Sequence, residues 1–135
     1  RVLFRSEQMT RVMRTQIDVV LSQGAGVLNA DDERTADLAR LCDGKVVFYT
    51  HDPKSAVLLA HREAGGRAVV LSGADVLLVH GSTERALGKL DALRPVNGFE
   101  PDSSALLAAI ATAWALDITP ELIAAGIKTF DYQPA

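Results

Sequence analysis

Between Glu7 and Leu21 the apolar positions Met9, Val12, Met13, Ile17 and Val20 recur three and four residues apart, which puts one apolar stripe on a helix. Gly24 and Gly26 punctuate that pattern, and the apolar pair Val27-Leu28 then predicts a short strand. Asn29-Ala30-Asp31-Asp32-Glu33 follows. Helix starts favour oxygen-bearing and acidic side chains, because their first N–H groups lack partners and the macrodipole is positive there. A helix through Leu41 is therefore expected, with Ala36, Leu38, Ala39 and Leu41 inward and Asp43-Gly44 closing it.

Val46-Val47-Phe48-Tyr49 is β-branched and aromatic without polar alternation, the pattern of a strand covered on both faces in the middle of a sheet. Asp52-Pro53 predicts the opening of a helix carrying Val57, Leu58 and His61 and ending at Gly65-Gly66. Arg67–Leu71 and Val76–His80 are apolar runs separated by Ser72-Gly73-Ala74-Asp75, which suits an antiparallel hairpin. From Gly81 to Asp102 no strong period appears, so a loop with at most short strands is expected, with a turn at Arg94-Pro95-Val96-Asn97-Gly98. Ser103 or Ser104 can then cap a buried helix with Leu106, Ile110 and Trp114 on one face. Thr119-Pro120-Glu121 opens a last helix with Leu122, Ile123 and Ile127 inward.

Strands alternating with helices predict an α/β fold with at least part of the sheet parallel. Trp114 is expected to be the largest contributor to the terminal helix pair, so Trp114→Ala should cost roughly 3–5 kcal/mol if the indole is buried. The composition, 48% hydrophobic and 23% charged over 135 residues, is that of one ordinary globular domain or a piece of a larger one. Fourteen basic against seventeen acidic residues leave a net charge of −3, which argues against nucleic acid as a partner. The nearly apolar stretch Ala105–Leu116 falls short of the roughly 20 residues that span a membrane, so no membrane partner is expected. A single cysteine, Cys42, forms no internal disulfide and points to a reducing, cytoplasmic setting. Arg1–Ser6 resembles a translated sequencing adapter and is set aside as non-native.

No phosphate-binding loop of glycines ending in lysine and a hydroxyl is present. Gly24-Ala25-Gly26 follows a helix where dinucleotide binding needs a strand. His51, His61 and His80 lack metal-ligand spacing, so no metal-binding set is expected, and they read as structural or solvated. Ser55, Ser72 and Ser82 lack the tight nucleophile turn of hydrolases, and no catalytic residue is assigned. Cys42, at the negative end of a helix, reads as a small buried hydrophobe. The remaining candidates are Asn29, Asp31 and Asp32, just past a strand on the sheet edge where open α/β folds bind ligands. They serve either as helix caps or as contacts to a nucleotide and its magnesium shell, and spacing leaves both open.

Four segments together resemble the cyanophycin synthetase family: Val19-Val20-Leu21, Gly26-Val27-Leu28-Asn29-Ala30-Asp31-Asp32, Gly65-Gly66-Arg67-Ala68-Val69, and Leu107 through Trp114 to Leu116. The likeness covers about Arg11 to Phe130 and is to the later half of that family's Mur-ligase-like central domain. It implies a partial domain over residues 7–130, a mixed sheet with helices on both faces, and the start of a linker to a missing C-terminal lobe at 131–135. It also implies that the parent protein uses ATP and Mg2+ to add arginine to the β-carboxyl of a poly-aspartate backbone through an acyl-phosphate. Asn29, Asp31 and Asp32 would then touch nucleotide. The partners would be the missing domains, cyanophycin or its aspartate and arginine precursors, and further copies of the parent in a homo-oligomer.

One departure from the family stands at Ser104-Ala105, where relatives carry an acidic residue or histidine followed by an asparagine that helps hold adenine. Alanine cannot make that hydrogen bond. The loop around Val96–Pro101 also reads as shorter than usual. A degenerate, non-catalytic scaffold or polymer-binding module is the competing expectation, and a stand-alone α/β binding module is a third.

Overall fold

The computed structural model describes residues 24–93 and 102–128. The helix expected over Glu7–Leu21, the turn at Arg94–Gly98 and the segments 1–6 and 131–135 lie outside the described residues. Strands β1 (Ala25–Asn29), β2 (Lys45–Thr50) and β3 (Arg67–Ser72) pair in parallel. β4 (Asp75–His80) and β5 (Thr83–Lys89) extend the sheet antiparallel, in the order β1-β2-β3-β4-β5. The helices are α1 (Glu33–Asp37), which tightens into a 3-10 turn over Leu38–Leu41, α2 (Ala56–Glu63), α3 (Ser103–Ala115) and α4 (Pro120–Lys128). The fold is α/β with a mixed sheet and helices on both faces, as expected.

Side-chain alternation along the strands creates two cores. Val47, Val69, Val76 and Leu78 point to one face, where Leu106, Leu107, Ile110 and Ala111 of α3 and Ile123 of α4 cover them. Phe48, Ala68, Val70 and Val79 point to the other, under Leu38 and Leu58. Helices α1 and α2 lie between parallel strands in sequence and share one face, and α3 and α4 return after β5 to cover the opposite one. Leu58, Leu107 and Ile110 are 0–1% exposed, and burying such a side chain fully contributes about 1.5–3 kcal/mol.

Five local expectations are corrected. The helix expected through Leu41 is only five residues long, because the Leu38 N–H turns to the carbonyls of Thr35 and Ala36 and swings Leu38 into the core. Helix α2 opens at Ser55, whose Oγ accepts from the Leu58 N–H at 3.3 Å, whereas Asp52 Oδ1 is spent on the Lys54 N–H at 2.9 Å. Helix α3 is capped by neither serine: Asp102 is the N-cap and Ser103 the first helical residue. Leu122 is 64% exposed, since Ile123 and Ile127 already turn the inner face of α4 toward the sheet. Trp114 is half-buried, with the Arg67 guanidinium 5.1 Å from its ring centroid.

After Gly81, where a loop with at most short strands is expected, the chain forms the seven-residue strand β5, entered through a tight Gly81-Ser82 turn. Gly81 has φ of +60°, a conformation that glycine adopts without Cβ strain and that hairpin turns of this kind need at their first position.

Candidate functional site

The parallel register places Asn29 of β1 beside Tyr49 of β2, so the residues that follow the two strands emerge together at one end of the sheet. The Ala30 N–H donates to the Tyr49 carbonyl at 2.9 Å and continues the pairing one step past β1. Asp31 and the Thr50-His51 pair therefore meet across the gap. The Thr50 hydroxyl donates to Asp31 Oδ1. Asp31 Oδ2 accepts from the His51 backbone N–H at 3.0 Å and faces His51 Nδ1 at 2.9 Å. His51 Nε2 reaches Ser103 Oγ at the start of α3, 3.0 Å away.

Electrostatics follow from these contacts. Partial burial works to raise the Asp31 pKa, but the hydrogen bonds from Thr50 and His51, with the attraction of the imidazole, outweigh it and hold the carboxyl below its ordinary value. Tyr49 moves the other way, since burial and then the negative charges of Asp31 and Asp32 raise its phenol. The edge thus carries a held carboxylate beside a neutral phenol.

The three expected nucleotide contacts sit at this edge, each with a structural task. Asn29 Oδ1 accepts from the Asp31 N–H at 2.9 Å and shapes the turn. Asp32 is the N-cap of α1, with Oδ1 accepting from Arg34 N at 3.0 Å and Thr35 N at 3.4 Å. Asp31 does not cap; it clasps β1 to β2. The capping possibility is thus realised by Asp32, while the Asn29 side-chain amide N–H groups and Asp32 Oδ2 have no partner among the described residues.

Sequence pattern does not place Thr50, His51 or Ser103 at this site: it leaves Thr50 unassigned and reads His51 as structural or solvated and Ser103 as a helix cap. The available signal was the parallel pairing itself, which sets the residue two past β1 against those ending β2. Ser103 could be found only in three dimensions, because fifty-two positions separate it from His51. Ser55 is a helix cap, and neither Ser72 nor Ser82 meets a histidine among the described residues. The half-buried Cys42 follows the 3-10 turn and packs beside the second core, with its thiol 3.8 Å from the Lys45 carbonyl. No group of three or more histidine, cysteine, aspartate or glutamate side chains is placed to hold a metal ion among the described residues. No described helix is long and apolar enough to cross a membrane.

A cavity of about 560 Å³ opens at the opposite end of the parallel strands, lined by Ala25, Lys45, His61, Arg67 and Thr112 among others. It is remote from Asp31 and holds none of the expected nucleotide contacts. Burial lowers the His61 pKa there, although the carbonyls of Val46 and Arg67 pull it upward, and its Nε2 lies 2.9 Å from the Val46 carbonyl.

No family model matches the chain. It is 31% identical over 126 residues to the cyanophycin synthetase of Crocosphaera subtropica, 30% to that of Synechocystis sp. and 28% to that of Trichormus variabilis. Each match covers 92% of this chain, which spans only 14% of the relative's length. Over almost all of its sequence, therefore, this chain is similar to one segment of cyanophycin synthetases, the family that the four matching stretches resemble.

Proposed function

We propose that the chain is part of a Mur-ligase-like domain of an ATP-dependent amide ligase that adds arginine to the β-carboxyl of a poly-aspartate backbone. The observation that carries this is the match to cyanophycin synthetases along 92% of the chain. The Asn29-to-Asp32 turn is then one wall of the nucleotide site, at the C-terminal ends of parallel strands where such sheets bind ligands. ATP, with magnesium offsetting its charge, would donate its γ-phosphoryl group to the β-carboxylate, and the arginine amine would displace phosphate from the acyl-phosphate so formed.

The side chains present fit part of that ligand. The ionised Asp31 and the outward Oδ2 of Asp32 suit the water shell of a magnesium ion. Helix α1 is too short to cradle phosphates, so those belong to residues supplied elsewhere in the parent. Activity accordingly requires the longer protein and its other domains, and the setting is cytoplasmic.

Two substitutions test this in the full-length parent. Asp32→Asn retains an acceptor for the cap, so melting should hold while the Kd for magnesium-ATP rises several-fold. Asp31→Asn should also weaken nucleotide binding and lower the melting temperature through the lost clasp. If the parent transfers no arginine from ATP, or if Asp32→Asn changes only stability, the ligase site does not include this turn. The contrary reading, a scaffold whose site has decayed, is favoured by Ser104-Ala105 and by the internal engagement of all three polar side chains. ATP binding by the intact parent would overturn it.

A further inference from the structure

We propose that Ser103, His51 and Asp31 form a nucleophilic hydroxyl site that accepts an acyl group from a small carboxylic ester. Three elements remote in sequence converge on it: Asp31 beyond β1, His51 beyond β2 and Ser103 opening α3. Ser103 Oγ is 3.0 Å from His51 Nε2, and His51 Nδ1 is 2.9 Å from Asp31 Oδ2. These are the distances that pair a nucleophile with a base and the base with an orienting carboxylate.

Proton placement follows from the contacts. An ionised carboxylate only accepts, so Nδ1 facing Asp31 carries a hydrogen, and in the neutral ring Nε2 offers its lone pair to the Ser103 hydroxyl. The His51 backbone N–H and the Thr50 hydroxyl hold the carboxylate in place, which makes Asp31 a positioning residue rather than a catalytic one. Ser103 is the first residue of a thirteen-residue helix whose N-cap, Asp102, makes no side-chain capping hydrogen bond. The Ser104 N–H, next after the nucleophile, is one of the first-turn donors without a partner inside the helix, and it supplies a hydrogen bond to the developing oxyanion. The His51 and Asp31 side chains are 34% and 32% exposed, so the acyl donor arrives from solvent, which suits a small activated ester.

In the step, Ser103 Oγ bonds to the ester carbonyl carbon while its proton moves to His51 Nε2. The carbon–oxygen bond to the leaving alcohol then breaks and His51 returns the proton to that alcohol, leaving acyl-Ser103. Water, deprotonated by the same Nε2, attacks the acyl carbon, releases the carboxylic acid and restores the hydroxyl. Neither nucleotide nor metal takes part in these steps; the site shares Asp31 with the ligase reading, and Ser103 and His51 distinguish the two.

The full chain, free of nucleotide, is treated with 4-nitrophenyl acetate and separately with a fluorophosphonate, which bonds to an activated serine oxygen with loss of fluoride. The expected result is nitrophenolate release and a phosphonyl mass on the peptide bearing Ser103. Both should vanish in Ser103→Ala, fall at least tenfold in His51→Gln and Asp31→Asn, and persist in Ser82→Ala. His51→Gln retains a hydrogen-bonding group but no base, so unchanged labelling in that variant reduces the trio to a structural clasp and overturns the proposal. Absence of label on Ser103 in the folded wild-type chain overturns it equally, without reliance on any variant.

Discussion

The parallel and antiparallel halves of the sheet are built on different terms. β2 and β3 are covered on both faces: Val47 and Val69 lie under α3 and α4, and Phe48 and Val70 under the 3-10 turn and α2. β5 is an edge, with Thr83, Glu84, Arg85 and Ala86 all exposed and only Leu87 and Gly88 half-buried. The first half derives its stability from excluded water. In the second half β4 still joins both cores through Val76, Leu78 and Val79, but β5 is held mostly by its main-chain ladder to β4 and carries charged side chains that discourage further strand addition. The polar edge with Asp31, His51 and Ser103 grows from the first half because fixed, doubly covered strands can hold a three-element hydrogen-bond chain in register.

The largest expected effect breaks that contrast at its core. Leu107→Ala removes a fully buried side chain at the centre of the α3 face and should cost about 2–5 kcal/mol in denaturant unfolding. Leu87→Ala on half-buried β5 should cost clearly less. Equal losses would mean that the two halves form one equally packed core. Trp114→Ala comes next, at about 2–3 kcal/mol, below the range for a fully buried aromatic because the indole is only half-buried. Part of that loss is the Arg67 stacking, worth roughly 0.5–1 kcal/mol at an exposed site. Restoring an aromatic ring with Trp114→Phe should recover most of the difference by thermal melting.

The same contrast explains what could be read from the sequence. β2 and the β3–β4 hairpin announce themselves through unbroken apolar runs and a glycine-bearing turn, because doubly covered strands need apolar side chains on both faces. β5 reads Thr-Glu-Arg-Ala-Leu-Gly-Lys, a composition that looks like loop, and pairing with β4 overrides its weak local preference. The Gly81-Ser82 dipeptide was the one local sign of that hairpin. At the site, Asn29, Asp31 and Asp32 were visible as a polar cluster after a strand. Their division of labour was not, since only the β1–β2 register decides that Asp31 turns to Thr50 and His51 while Asp32 caps α1. Ser103 looked like a cap because a hydroxyl before an apolar helix usually is one, but its Oγ reaches sideways to a different strand.

Acid should test the parallel half through His61. Its pKa is lowered in the fold from an ordinary 6.5, with burial as the main cause, so the unfolded chain takes up a proton first as the pH falls. Stability attributable to this site is therefore complete above about pH 6.5 and is lost as the pH drops through the lowered folded value. Melting temperatures across that window should fall on acidification, and His61→Gln should flatten the slope. The ring edge also packs on Phe48 at 4.8 Å between centroids and lies over Gly66, where an added Cβ would come within 2.2 Å of Nε2. Gly66→Ala should therefore displace the imidazole and flatten the same slope without touching a titrating group.

The smallest effect concerns the tie between the two halves. Arg62 of α2 donates from Nε to the Gly81 carbonyl at 2.7 Å and from a terminal nitrogen to Glu84 Oε1 at 2.8 Å, spanning from the helix layer to the β4–β5 turn. The Glu84 side chain is 53% exposed, so solvent screens the ion pair and its share should be no more than about 0.2–1 kcal/mol. The carbonyl contact sits against a half-buried guanidinium and is less open to screening. Glu84→Gln should thus have a small effect that disappears in high salt, whereas Arg62→Met should cost more and lose only the ion-pair share in high salt, since it also leaves the Gly81 carbonyl without its donor. Measured together by a double-substitution cycle, a coupling close to zero would show that the turn is held by the backbone contact alone. A coupling above 1 kcal/mol would make the exposed half more dependent on charge than its burial allows.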